Sequence, residues 1–200
     1  SRINLNEIKM ITLKFKTLTP LHISNGEELA YKLDYIIKWD LFCRFNPVYL
    51  AKRIVQKNKI NFSQKYSLST LINSVLTEDI YDDMEKDDFL YCVNIIKNYY
   101  NTLKNEDAEG LHFVKEFNNS NGKFYIPASS IKGALLTILG RSELGISSRN
   151  PDISDRVVIN DSEFINRENI CVYLTNERPP SVNIMCMKPD REFDINILQK

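Results

Sequence analysis

The chain has 200 residues, 43% of them hydrophobic, and its 26 lysines and arginines balance 26 aspartates and glutamates. That length supports one ordinary domain with a real core, or one domain carrying a large insertion. The balance excludes the global basic field that marks many nucleic-acid binders, while leaving room for a local basic strip.

Residues 1–9, SRINLNEIK, precede Met10, where a clean strand pattern begins, and are set aside as an added or N-terminal extension. In ITLKFKTL, Ile11, Leu13 and Phe15 alternate with Thr12, Lys14 and Lys16, the period of a half-buried strand that ends at Pro20. LHISNGEELA carries a turn at Asn25 and Gly26, and YKLDYIIKWDLF, residues 31–42, returns as one extended segment. NPVYLAKRIVQ predicts a helix with Asn46 as N-cap and Pro47 in its first turn. SLSTLINSVL and DDFLYCVNIIKNYYNTL, residues 67–76 and 87–103, repeat the helical spacing, with an acidic solvated loop between them. Residues 46–107 therefore read as a helical insertion in a β-rich chain.

LHFVKEF and KFYIPA, separated by NNSNG, predict a hairpin. A helix follows from Ser130 to about Glu143, SSRNPDISD is a loop, and RVVINDSEFI, NICVYLT, SVNIMCM and REFDINIL read as four strands. Strand segments around a covering helix predict an α+β sandwich of the ferredoxin-like kind.

Cys43, Cys92, Cys171 and Cys186 lie far apart and form no CxxC pair. With two histidines in the chain, no zinc site is expected, and reduced thiols of a cytoplasmic protein are the simplest reading. No apolar run approaches the ~18 residues that span a bilayer, so no membrane partner is expected.

The segment YIPASSIKGALLT, residues 125–137, joins a strand end to a helix start. Ser129 or Ser130 is suited to cap the first turn, and unpaired amides there attract an anion. Lys132 and the close-approach position Gly133 suit a phosphate, although a serine-capped helix with a surface lysine explains the pattern equally simply. The Walker A spacing is absent. Phe124 and Tyr125 could stack on bases, but alternating aromatics in a hairpin are more often core.

TPLHISNGEEL, YIPASSIKGALLT and VVINDSEFI, in that order, resemble the three N-terminal motifs of the RAMP superfamily of CRISPR RNA-binding proteins. The form most similar is the type III-A (Csm) effector-complex subunit that caps the assembly near the 3′ end of the guide RNA. The resemblance implies a ferredoxin-like, RRM-related domain over residues 10–200 with a helical insertion at about 46–107. It also implies that a second RAMP-like domain lies outside these residues. The implied ligand is the CRISPR RNA backbone, contacted by His22, Asn25, Gly26, Ser129, Ser130, Lys132 and Gly133 with base identity largely ignored. Asn25 and Gly26 would chiefly shape their turn. The implied partners are other Csm subunits, above all the backbone RAMP subunit, and RNA-trimming nucleases; no cofactor or metal is implied.

The expected role is non-catalytic. Two alternatives stand beside it: a RAMP ribonuclease, with Asp34 and His22 as its candidate catalytic residues, and a protein-interaction module that binds no RNA itself. Asp34 falls near the position where related backbone subunits carry a cleaving aspartate, but one carboxylate needs partners to hold a metal.

Overall fold

The computed structural model describes residues 9–57, 81–97, 113–141, 157–174 and 183–199. In chain order its strands are β1 (Lys9–Lys16), β2 (Ser24–Ala30), β3 (Tyr35–Lys38), β4 (Leu41–Phe45), β5 (Phe89–Lys97) and β6 (Phe113–Phe117). They continue as β7 (Asn119–Ser120), β8 (Lys123–Phe124), β9 (Val157–Ile159), β10 (Ile170–Leu174), β11 (Asn183–Met187) and β12 (Glu192–Gln199). Helix α1 spans Pro47–Lys57 and α2 spans Ala128–Arg141. The described residues fall into two compact units, one within Ser1–Ile23, Asn118–Asn169 and Met187–Lys200, the other within Ser24–Phe117 and Ile170–Cys186.

In the first unit β12 is central, pairing antiparallel with β1 from Lys9↔Gln199 to Lys16↔Glu192 and with β9 through Ile197↔Ile159. Ile195 is fully buried, and Phe15 and Phe193, opposite each other, stack at 5.3 Å. The short β7–β8 hairpin turns at Asn121 and Gly122, with φ of 49° and 75°. Those left-handed values match the right-handed twist of the flanking strands, and asparagine and glycine adopt them most readily.

The second unit is a seven-stranded mixed sheet in the order β2-β6-β11-β10-β5-β4-β3. Parallel pairings, β6 with β11 and β10 with β5, lie inside it, and antiparallel pairings form both edges. Central strands covered on both faces are apolar without strict alternation, as in NIMCM and ICVYL. Leu50 and Ile54 of α1 pack onto Ile36, Cys43, Phe45, Tyr81, Met84 and Phe89. The α1 start is as expected: Asn46 Oδ1 accepts from Val48 N at 3.1 Å.

Several sequence expectations are corrected. The helix expected over residues 87–103 is strand β5 at Phe89–Lys97, whose apolar residues fit either period but here face both sides of a sheet interior. Residues 46–107 are therefore not a helical insertion throughout: α1 is helical, while the helix expected at 67–76 lies outside the described residues, as does the loop at 147–155. The extended segment at 31–42 contains a hairpin, because Trp39 and Asp40 take φ of 53° and 59° and reverse the chain between β3 and β4. The Asn25–Gly26 turn is a bulge inside β2, where Gly26 has φ of 90° and the register to β6 shifts between Ser24 and Glu28.

LHFVKEF does not pair with KFYIPA. It forms β6 between β2 and β11, and the hairpin is the small β7–β8 ribbon. Cys43 and Cys92, directly opposite on β4 and β5, are joined by a disulfide with Cα atoms 4.2 Å apart, whereas Cys171 and Cys186 are free and buried. The described residues carry a three-stranded, a seven-stranded and a two-stranded sheet with two α-helices, a mixed sheet-rich α+β architecture.

Candidate nucleic-acid interface

The start of α2 is built from two backbone segments held side by side. Pro127 O accepts from Ser130 N at 3.0 Å and from Ile131 N at 3.4 Å, so proline occupies the capping position and the helix begins at Ala128. Ser129 and Ser130, expected as caps, lie inside the first turn. The cap comes from across the fold instead: Asp161 Oδ1 accepts from Ala128 N at 2.7 Å. Ser162 Oγ accepts from Ile126 N and donates to Glu163 O, both at 2.8 Å, and Ser162 N donates to Ile126 O at 3.0 Å. Asn160 N donates to Asn196 O on β12 at 3.0 Å, tying the whole stretch to the sheet. The NDS stretch, here Asn160–Ser162, is the clamp that fixes the start of α2.

Asp161 occupies the first amide and offsets part of the positive end of the helix. A further anion would therefore meet Ser129, Ser130 and Lys132 rather than Ala128. Ser129 is exposed and Lys132 half-buried. Gly133 is exposed, and among the described residues a Cβ built on it would meet no atom within 4 Å beyond its chain neighbours and its own helix backbone. A mid-helix glycine costs about 1 kcal/mol relative to alanine, and packing against the described residues gives no return for that cost. Of the two aromatics singled out for stacking, Phe124 is fully buried and Tyr125 half-buried, its ring edge-on to the exposed Phe164 at 6.4 Å. Nothing in the sequence distinguished Phe164 from its buried neighbour Ile165.

His22 belongs to the same unit. It is half-buried, next to Leu21, which exchanges backbone hydrogen bonds of 3.0 and 2.8 Å with Met187.

Asn25, Gly26 and Asp34 belong to the other unit. Asn25 Oδ1 accepts from Glu27 N at 2.9 Å, and its Nδ2 donates to Glu116 Oε2 at 2.6 Å. Glu116, 3% exposed, also accepts from Tyr91 Oη at 2.5 Å and faces Arg44 Nε at 3.7 Å. Burial first, then the Glu116 carboxylate, hold the Tyr91 hydroxyl well above its usual range, so it stays protonated as the donor. Asp34 is engaged at both oxygens: Oδ2 accepts from Ala30 N and Oδ1 from Arg44 Nη1, each at 2.9 Å. Among the described residues, no group of three histidine, cysteine, aspartate or glutamate side chains is arranged to hold a metal ion, and no helix is long and apolar enough to cross a membrane.

A family model described as the RAMP superfamily matches residues 14–198. The chain belongs to the RAMP superfamily. This RAMP chain is 28% identical over 128 residues to a protein of Methanocaldococcus jannaschii described as CRISPR system Cms protein Csm5. That match covers 62% of the chain and 29% of the relative's length. Among solved structures, a chain of a type III-A Csm–crRNA–target RNA ternary complex shares its fold with a TM-score of 0.61 at 17% identity, covering 94% of this RAMP chain and 63% of that one. The crystal structure of T. onnurineus Csm5 matches with a TM-score of 0.60 at 16% identity, covering 92% and 67%.

Proposed function

We propose that this RAMP chain is a non-catalytic RNA-binding subunit of a type III-A Csm effector complex, holding the guide-RNA backbone at the α2 start near the guide's 3′ end. The observation that carries the reading is Gly133: an exposed helix glycine with open space above it, beside Lys132, on a helix start clamped by Asp161 and Ser162. Open space at Gly133 lets a strand's backbone come close to the first turns of α2, where the Lys132 ammonium and the Ser129 and Ser130 hydroxyls can meet a phosphate. Contacts of this kind position a strand without reading its sequence, which suits a guide whose sequence varies.

His22 shares the unit with this helix start, and we assign it a supporting RNA contact. Asn25 and Gly26 shape the β2 bulge, and Asp34 holds a turn rather than cutting RNA, since both its oxygens are engaged within the chain. The three-stranded sheet with α2 is the portion we read as ferredoxin-like. The partners in this reading are CRISPR RNA, the backbone RAMP subunit and other Csm subunits, with trimming nucleases recruited at the guide's 3′ end.

The test compares the chain with Lys132→Glu for binding of several unrelated single-stranded RNAs. The expected result is a similar loss of affinity for every sequence; a loss confined to one sequence would contradict backbone recognition.

A further inference from the structure

Phe164 is 63% exposed, although it stands in an ordered backbone pairing. Ile165 N donates to Phe124 O at 2.7 Å, and Ser162 N donates to Ile126 O at 3.0 Å, so residues 124–126 and 162–165 run antiparallel. Phe124, Ile126, Ser162 and Ile165 are buried, whereas Phe164 is exposed and Tyr125 half-buried. Tyr125 meets the Phe164 ring edge-on with an interplanar angle of 82°, and Lys123 Nζ lies 5.2 Å from its centroid. The ring is thereby held in one orientation, with Lys123 over one face and the rest of its surface largely exposed.

Phe164 also borders a cleft of about 340 Å³, whose other lining includes Glu163, Asn169, Glu192, Phe193 and Asp194. Lys14 also lines it, so three carboxylates against one ammonium leave the cleft with excess negative charge, which suits an uncharged flat ring better than a phosphate. On the opposite side, Phe164 lies three residues beyond Asp161, the residue that caps α2. Three residues of extended chain span about 10 Å, within reach of a short oligonucleotide. Lys132 and the serine hydroxyls of α2 on one side and an aromatic surface on the other sort a nucleotide strand into backbone and base.

We propose that Phe164 is a base-stacking residue, and that an unpaired base of the strand held at α2 lies on its ring over this cleft. The inference rests on the RNA reading above and adds one nucleobase site to it. Stacking on a phenyl ring tolerates any base, because every base presents a π-face, so the site remains compatible with a variable guide.

The test measures the affinity of the whole chain, Phe164→Ala, Phe164→Trp and Lys132→Glu for a short single-stranded RNA and for the same backbone with its bases removed. Phe164→Ala is expected to weaken the base-bearing strand about tenfold and to leave the abasic strand unchanged. Phe164→Trp is expected to retain affinity. Equal affinity of Phe164→Ala and the unaltered chain for the base-bearing strand, or an equal loss for both strands, overturns the stacking site. If Lys132→Glu weakens binding while Phe164→Ala does not, only the stacking site fails; if no strand binds the unaltered chain, both readings fail.

Discussion

At the scale of single residues, the site turns on a glycine that packing does not require. Gly133→Ala removes a helix-destabilising residue at an open position, so the variant should be more stable by about 0.5–1 kcal/mol, read from its urea midpoint. It should also bind RNA more weakly, because the added methyl stands where the backbone approaches; unchanged affinity alongside raised stability would remove the glycine from the interface. Gly133 and Lys132 were visible in the sequence as a loop opening a helix, and the structure places both in the first turns of α2. Asp161 as the cap was not visible, because a cap supplied from 33 residues away leaves no local pattern. Phe164 was hidden for a related reason: SEFI does not alternate, and nothing local says which of its two adjacent apolar residues meets solvent.

At the scale of elements, Asp34 joins three strands. Its backbone closes the turn after β2 and accepts from Phe45 N on β4 at 2.9 Å, while its carboxylate bonds Ala30 N and Arg44. Asp34→Ala should therefore lower stability by about 2 kcal/mol, the scale of lost hydrogen bonds to a charged group that is partly exposed. It should leave any RNA cleavage by the assembled complex unchanged; loss of cleavage without loss of stability would restore the catalytic reading.

The elements best read from sequence were those with one solvated face, β1 and α1, where a single period dominates. β5 was misread because FLYCVNIIK is covered on both sides, and an apolar run of that kind matches helical and strand spacing alike. The β3–β4 reversal was missed because Trp39 and Asp40 adopt left-handed φ without the Asn-Gly signature that announces such a turn.

At the scale of the whole molecule, the seven-stranded unit is rich in buried tyrosines, and these set its response to alkali. Burial, with Tyr31 second, pushes Tyr81 up to about 12 and Tyr35 higher still, and Tyr91 is held well above its ordinary value near 10. In the unfolded chain these hydroxyls lose their protons near pH 10, so above that pH the folded state holds protons that the unfolded state has released. Their contribution is complete below pH 10 and is lost as pH rises toward 12. The urea midpoint should accordingly fall steeply between about pH 10 and 11; a midpoint level across that interval would mean the tyrosines ionise freely in the fold.

The interface is expected to act through charge, and charge is what the deciding measurement reads. That measurement is the salt dependence of single-stranded RNA binding by the whole chain and by Lys132→Glu. Affinity that falls as salt rises, with a logarithmic slope shallower by about 1 in the variant, is the predicted result for a phosphate held at the α2 start. Identical slopes for the two proteins would contradict it and would place any RNA contact elsewhere on the chain.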